Sequence, residues 1–109
     1  MKINHKMGNL SVEFESDTVK DAFAQLAVFQ EVFGEQKCGK CGSENLRFVM
    51  REVDGNQYYE LRCADCGAKL AFGANKKGGG LFPRRKDTEG NWLPDNGWTK
   101  WNNQTKRLE

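Results

Sequence analysis

Apolar and polar residues alternate near the start of the chain, where Leu10, Val12 and Phe14 are separated by single polar residues. A period of two places these three side chains on one face of an extended segment and predicts a half-buried β-strand over residues 10–15. From residue 17 to residue 33 the apolar spacing changes to three or four, which predicts an amphipathic helix. The apolar positions of this helix are Val19, Ala22, Phe23, Leu26, Phe29 and Phe33.

Residues at both ends of this segment support the helix assignment. Thr18 and Asp21 form a loose capping box at its start, and Gly34 is a favourable stop at its end. An apolar stripe of this length needs a surface to cover it. That surface is either the rest of the domain or, through helix 17–33, a protein partner or a second copy of the chain.

The middle of the chain contains two copies of the motif Cys-x-x-Cys-Gly, at residues 38–42 and 63–67. Two strand-like runs lie between them and flank a turn signal at residues 54–56. We therefore expect an antiparallel hairpin that brings the second motif beside the first. A third strand is predicted over residues 68–72.

The four cysteines have the spacing of a metal site. The N-terminus lacks the apolar core of a signal peptide, and no run approaches the roughly 18 apolar residues of a membrane span, so we expect a cytoplasmic protein without disulfides. Zn²⁺ in a structural site is held by four ligands in a tetrahedron. Iron binds in similar four-sulfur sites, and the sequence does not distinguish the two metals. We predict one structural zinc ion with the ligands Cys38, Cys41, Cys63 and Cys66.

The two motifs and the hairpin between them resemble the zinc ribbon group over residues 36–73. This resemblance implies a three-stranded antiparallel fold stabilised by zinc. Many zinc ribbons belong to transcription, replication and translation proteins, where they contact nucleic acid or dock on another protein. Because one fold serves many functions, the resemblance implies the fold more directly than the function.

The C-terminal third of the chain combines positive charge with aromatic residues. Residues 76–86 carry five positive charges and no acid, and residues 76–109 have a net charge of +4, against −3 for residues 1–36. Phosphate backbones attract such segments, and exposed aromatic rings stack on unpaired bases. The predicted nucleic-acid-binding residues are Lys76, Lys77, Phe82, Arg84, Arg85, Lys86 and Trp101.

The same tail also has a purely structural interpretation. A basic run is commonly a solvated loop, and Trp92, Trp98 and Trp101 could pack as a small core instead of facing a ligand. The sequence leaves both possibilities open for the tryptophans. The hairpin offers one of two tyrosines, Tyr58 or Tyr59, for stacking on unpaired bases. It also offers three arginines that would extend a nucleic-acid-binding track: Arg47, Arg51 and Arg62.

No catalytic group accompanies the predicted metal site. Four cysteines fill every coordination position, and the only histidine, His5, lies near a terminus that we expect to be mobile. No phosphate-binding loop, nucleophile elbow or HExxH motif occurs in the chain. We therefore predict a non-enzymatic nucleic-acid-binding protein that prefers single strands and has little sequence specificity. The alternative is an adaptor that docks on a replication or transcription component.

Together these patterns predict an α+β fold in one compact domain with three parts. Residues 1–36 form an N-terminal strand and helix, and residues 37–73 form the zinc ribbon. Residues 74–107 form a short, basic, β-rich extension that packs on the ribbon through tryptophan. No part of this arrangement is expected to enter a membrane.

Overall fold

The residues that the computed structural model describes are 1–8, 10–75 and 79–109, and they contain one α-helix and nine β-strands, all paired antiparallel. One helix with antiparallel sheets agrees with the predicted α+β class. Residues 1–36 form one unit of the chain, and residues 37–109 form the other. In the described part of the chain, no helix is long and apolar enough to cross a membrane.

Residues 1–36 fold as a β-hairpin followed by a helix. Strand β1 (Lys2–Met7) pairs with β2 (Leu10–Glu15), and helix α1 covers Val19–Phe33. Strand β2 and helix α1 follow the predicted pattern. Strand β1 was not predicted, because its inward positions are only partly apolar.

The position of His5 differs from the expectation of a mobile terminus. It lies within β1, where it is opposite Val12 and half-buried. The inward positions beside it are Ile3 and Met7, and only Met7 is fully buried. A histidine between two apolar residues weakens the period-two signal that would identify a strand.

Helix α1 begins at the predicted cap. The side-chain oxygen of Thr18 accepts a hydrogen bond of 3.0 Å from the backbone N–H of Asp21. Ser16 donates from its hydroxyl to the carboxylate of Asp21 at 2.8 Å. The bond to Thr18 satisfies a backbone N–H that has no intrahelical partner, and the bond from Ser16 links the Asp21 side chain to the residues before the helix.

The apolar stripe of α1 is only partly covered. The Phe29 ring stacks on Phe14 of β2 at 6.2 Å and contacts Phe33 at 5.3 Å between ring centres. Val19 and Phe23 near the start of the helix remain exposed, and Phe23 is 74% exposed. The stripe therefore covers the hairpin at one end and faces solvent at the other.

A five-stranded antiparallel sheet forms the centre of residues 37–109. Its strands are β3 (Leu46–Val53), β4 (Asn56–Cys63), β5 (Lys69–Ala74), β6 (Leu81–Pro83) and β7 (Trp98–Thr99). The order is β3-β4-β5-β6, and β7 also pairs with β5. The extension thus adds two strands to the sheet that contains the hairpin. A separate pair, β8 (Trp101–Asn102) and β9 (Arg107–Leu108), follows.

Trp98 is the largest side chain in the core of this unit. It is 1% exposed and is paired with Leu70 across β7 and β5. Its ring lies so close to Gly39 in the first cysteine motif that a Cβ there would come within 2.3 Å of Trp98 Cδ1. The other buried side chains on this face of the sheet are Leu61, Cys63, Leu70, Phe72 and Pro83.

A turn of left-handed residues leads the chain into Trp98. Residues 95–97 have φ angles of 53°, 59° and 93°, and Asp, Asn and Gly are the residues that tolerate this region best. The turn is joined to the first cysteine motif, because Lys40 Nζ and Asp95 Oδ2 form an ion pair of 2.5 Å. The extension therefore contacts the first motif through both a buried ring and an ion pair.

Removing the Trp98 ring should destabilise the unit far more than removing an exposed tryptophan. We expect Trp98→Ala to lower the free energy of unfolding by about 3–5 kcal/mol, the range for emptying a large core position. Trp92→Ala is the matched control, since Trp92 is 67% exposed, and should cost about 0.5 kcal/mol or less. Urea unfolding followed by circular dichroism measures both, and equal losses would contradict the core assignment.

Candidate metal centre and basic sheet face

Each cysteine motif folds into the same tight turn. The backbone N–H of Gly42 donates to the carbonyl oxygen of Cys38 at 2.9 Å, and that of Gly67 donates to Cys63 at 3.0 Å. Both glycines have positive φ, 77° and 81°, a conformation that glycine adopts without steric cost. The glycine after each second cysteine therefore closes the turn that presents two sulfurs together.

Further bonds hold the sulfurs and the two turns in place. The backbone N–H of Lys40 donates to Cys38 Sγ at 3.3 Å. The backbone N–H of Ala64 donates to the carbonyl oxygen of Asn45 at 2.9 Å. The hydroxyl of Ser43 also donates to the carboxylate of a residue in the second turn, Asp65. Hairpin β3–β4 and these contacts together bring the second turn beside the first.

The four cysteine sulfurs form a cluster of the size that a tetrahedral metal site requires. All four Sγ atoms lie within 4.8 Å of one another, and the pairs Cys38–Cys66 and Cys41–Cys63 are each 3.6 Å apart. A metal with sulfur bonds of about 2.3 Å spaces its tetrahedral ligands about 3.8 Å apart, whereas a disulfide needs about 2.05 Å. The predicted cysteines are therefore positioned to bind one metal ion.

The surroundings of the cluster affect its thiols differently. Burial would raise the pKa of Cys63, but backbone N–H groups of Cys66 and Asp65 and neighbouring thiols outweigh burial and lower the pKa to about 7. The backbone N–H of Ser43 would lower the pKa of Cys41, but desolvation and the neighbouring sulfurs raise it to about 12. Cys63 is thus more readily a thiolate than Cys41, and the thiolate is the form that binds metal.

The face of the sheet opposite the core carries a row of positive charge. The register pairs Arg47 with Arg62 and Arg62 with Lys69, so that three cations lie side by side on β3, β4 and β5. Like charges directly opposite one another destabilise a sheet. The row is therefore a feature that sheet stability alone does not favour.

Two aromatic rings share this face with the cations. The Arg51 guanidinium lies 5.0 Å from the ring centre of Tyr58, and the Arg84 guanidinium lies 5.9 Å from that of Phe82. The Phe82 ring covers Gly73 of β5, where a Cβ would come within 2.5 Å of the ring. Alternation along β4 places Tyr58 on the side of the sheet that carries the row, and the pairing of Phe82 in β6 with Gly73 in β5 places Phe82 on the same side.

One buried carboxylate lies between the row and the rings. Glu60 has a side chain that is 2% exposed, accepts a hydrogen bond from Arg51 Nε, and lies 3.2 Å from Arg62 Nη2 and 3.8 Å from Lys69 Nζ. Burial by itself would raise the pKa of Glu60, but the hydrogen bond from Arg51 and the charges of Lys69 and Arg62 hold the pKa below its usual value. Glu60 therefore stays ionised at neutral pH and joins cations from three adjacent strands.

We name the row of cations, the two rings with the arginines over them, and Glu60 together the basic face. They include five cations, two aromatic rings and one carboxylate, and their formal net charge is +4. The members of the basic face are Arg47, Arg51, Tyr58, Glu60, Arg62, Lys69, Phe82 and Arg84.

The structure distributes the predicted nucleic-acid-binding residues over several places. Phe82 and Arg84 belong to the basic face. Arg85 instead donates from Nη1 to the carbonyl oxygen of Asn96 at 2.8 Å, so that it is tied to the turn before Trp98. A structural contact therefore occupies one of the arginines that the sequence assigned to ligand binding.

The remaining predicted residues lie outside the basic face. The Lys86 ammonium lies 4.6 Å from the ring centre of Trp92. Trp101 is exposed on β8 and donates from Nε1 to Asn103 Oδ1 at 2.9 Å. Two further predicted residues fall outside the described ranges: Lys76 and Lys77.

Glu60 and Lys69 are the members of the basic face that sequence analysis missed. An acidic residue gives no signal for a surface that binds polyanions, and Lys69 is a single cation on a strand of small and apolar residues. The available signal was the alternation along β4, where Tyr58, Glu60 and Arg62 are every second residue. Recognising the row also requires the register of three strands, which the sequence does not contain.

Comparison with known proteins assigns no family to this chain. The chain matches no protein-family model, no curated protein and no solved structure. The cysteine cluster and the basic face are therefore the features that bear on its function.

Loss of one cysteine ligand should release the metal and unfold residues 37–109, because a structural metal contributes directly to folding. We expect one metal ion per chain in the wild type and a lost cooperative thermal transition for this unit in Cys41→Ser. Glu44→Ala is the matched control, since Glu44 is an exposed residue beside the same turn and the change retains all four sulfurs. Elemental analysis and thermal melts measure both properties, and an unchanged melt in Cys41→Ser would contradict a structural metal.

Proposed function

We propose that this protein is a non-enzymatic nucleic-acid-binding protein with one structural zinc ion, and that it prefers single strands with little sequence specificity. The observation that carries the proposal is the basic face, on which five cations and two aromatic rings share one side of the sheet. Basic grooves combined with aromatic stacking surfaces are the usual means of binding single strands.

The row of cations supplies the phosphate contacts in this proposal. Arg47, Arg62 and Lys69 lie on adjacent strands, which are spaced about 4.8 Å apart, so the cations form a line across the strands. Each phosphate that they neutralise releases counterions, and affinity therefore falls as salt rises. Contacts of this kind position a nucleic acid without reading its sequence.

The aromatic rings supply the contacts with bases. Tyr58 and Phe82 are partly exposed, and the guanidinium groups of Arg51 and Arg84 lie over them. Stacking is worth about 1–3 kcal/mol per base and accepts every base, since each has a π-face. A duplex stacks its bases internally, so a single strand is the ligand that uses both the cations and the rings.

The metal acts on the fold in this proposal. Zinc suits four cysteine ligands, and a site with four protein ligands leaves no open position for a substrate. Cys38, Cys41, Cys63 and Cys66 would hold the ion, and the ion would join the start of β3 to the end of β4. That cross-link supports the register on which the row of cations depends.

A second function is favoured by a separate observation in residues 1–36. Val19 and Phe23, one helical turn apart, are both exposed at the start of α1. An adaptor that docks on a replication or transcription component, or a homodimer formed through α1, would cover this patch. This function needs no nucleic acid on the basic face.

Titration with a fluorescent single-stranded oligonucleotide of mixed sequence tests the proposal. We expect saturable binding that weakens with salt and exceeds the binding of a matched duplex. Arg47→Ala with Lys69→Ala should weaken binding to all sequences and reduce the slope of log K against log salt by about 1.4, or about 0.7 per phosphate contact of a single strand. Lys2→Ala with Lys20→Ala removes the same charge from residues 1–36 and serves as the control. Absence of binding at low salt would contradict the proposal and favour the adaptor.

The location of base stacking can be tested separately. Tyr58→Leu keeps an apolar side chain but removes the ring from the basic face, so we expect affinity for the single strand to fall by about 1–3 kcal/mol. Trp101→Leu is the control, because Trp101 is an exposed aromatic residue outside the basic face. Fluorescence anisotropy measures both, and a larger loss in Trp101→Leu would move the stacking surface to β8.

A further inference from the structure

Three cations surround Glu60, and the role that we infer for this carboxylate rests on the proposed function. We infer that Glu60 is a positioning residue, which makes the basic face select a single strand over other polyanions by holding Arg51, Arg62 and Lys69 in fixed places. Glu60 itself contacts no ligand in this scheme.

Stability alone does not account for a buried carboxylate at this position. Buried ion clusters contribute little net stability, because the cost of removing charges from water offsets their attraction. An apolar residue could fill the site without drawing charges towards it. Instead, three cations from three strands converge on the two oxygens of Glu60.

The cations are anchored on the side that faces Glu60 and open on the other side. Arg51 donates to Glu60 from Nε, and a guanidinium has five N–H donors in total. Arg62 approaches the carboxylate through Nε at 3.3 Å and Nη2 at 3.2 Å. Both arginine side chains are partly exposed. Donors that point away from Glu60 can therefore bind a phosphate without reorganising the side chain.

Fixed cations favour a ligand whose phosphates and bases must arrive together. A single strand has to place phosphates on the row while its bases reach Tyr58 and Phe82, and cations without an anchor would lose conformational freedom on binding. A simple polyanion has no bases to place and responds mainly to net charge. Because Glu60 lowers the net charge of the face by one, it weakens simple polyanion binding while it supports single-strand binding.

The two effects of Glu60 can be separated with two ligands. We expect Glu60→Gln to lower affinity for a single-stranded oligonucleotide about tenfold, the effect of ordering two long side chains on binding. Its affinity for inorganic polyphosphate should be unchanged or higher. Glu52→Gln is the matched control, because it removes the same charge from the other face of the sheet, where Glu52 is paired with Gln57. The ratio of the two affinities should fall in Glu60→Gln and stay constant in Glu52→Gln.

A role for charge alone gives the opposite result. In that case Glu60→Gln would bind both ligands more tightly and keep their ratio, which would overturn the inference. Metal content and circular dichroism establish that the variant is folded. If it is not, Arg62→Lys takes its place, because lysine keeps the charge but lacks the planar fork that Glu60 holds. An unchanged ratio in Arg62→Lys would also overturn the inference.

The failure of this inference differs from the failure of the proposed function. A wild-type protein that binds no single strand, even at low salt, would refute the proposed function itself. A wild-type protein that binds single strands, with variants that keep the wild-type ratio of affinities, would refute only the role of Glu60.

Discussion

Four sulfurs from two distant turns have to meet at one point, and the rest of residues 37–109 is arranged around that requirement. The β3–β4 hairpin returns the chain by the right length, so that Cys63 at the end of β4 lies opposite Leu46 at the start of β3. Trp98 then packs against Gly39 from the extension. A domain of this size buries few large side chains. We therefore expect a metal held by the four cysteines, together with the buried Trp98, to contribute much of the stability of this unit.

The same register also arranges the outer surface of the sheet. Successive residues of a strand point to opposite faces, so the pairing that aligns Leu61 with Leu70 on the core side necessarily aligns Arg62 with Lys69 on the other. A slip of one residue would exchange the two sets and bury the cations. The cysteine cluster and the basic face are thus linked through the register of one hairpin, although no cysteine belongs to the basic face.

Charge is divided unevenly between the two units. Residues 1–36 carry a net charge of −3, whereas residues 37–109 carry +5. Phosphate would be repelled by the first unit and attracted by the second, which is consistent with a nucleic acid bound through the sheet. The exposed start of α1, with Phe23, is apolar and belongs to the acidic unit. It is therefore better suited to contact with a protein than with phosphate.

The cysteine spacing by itself determined which four sulfurs cluster at a distance suited to one metal ion, and the cap at Thr18 with the apolar periodicity determined helix α1. Both are local patterns, since each records bonds within a few residues or within one hairpin. Only the tertiary structure distinguished the three tryptophans, because the contact between Trp98 and Gly39 joins residues that are far apart in the chain. The row of cations likewise depends on the register of three strands, and strand β1 depends on its partner β2. Such long-range pairing leaves no mark in the local sequence, and for this reason the surface that carries the proposed function became visible only in the fold.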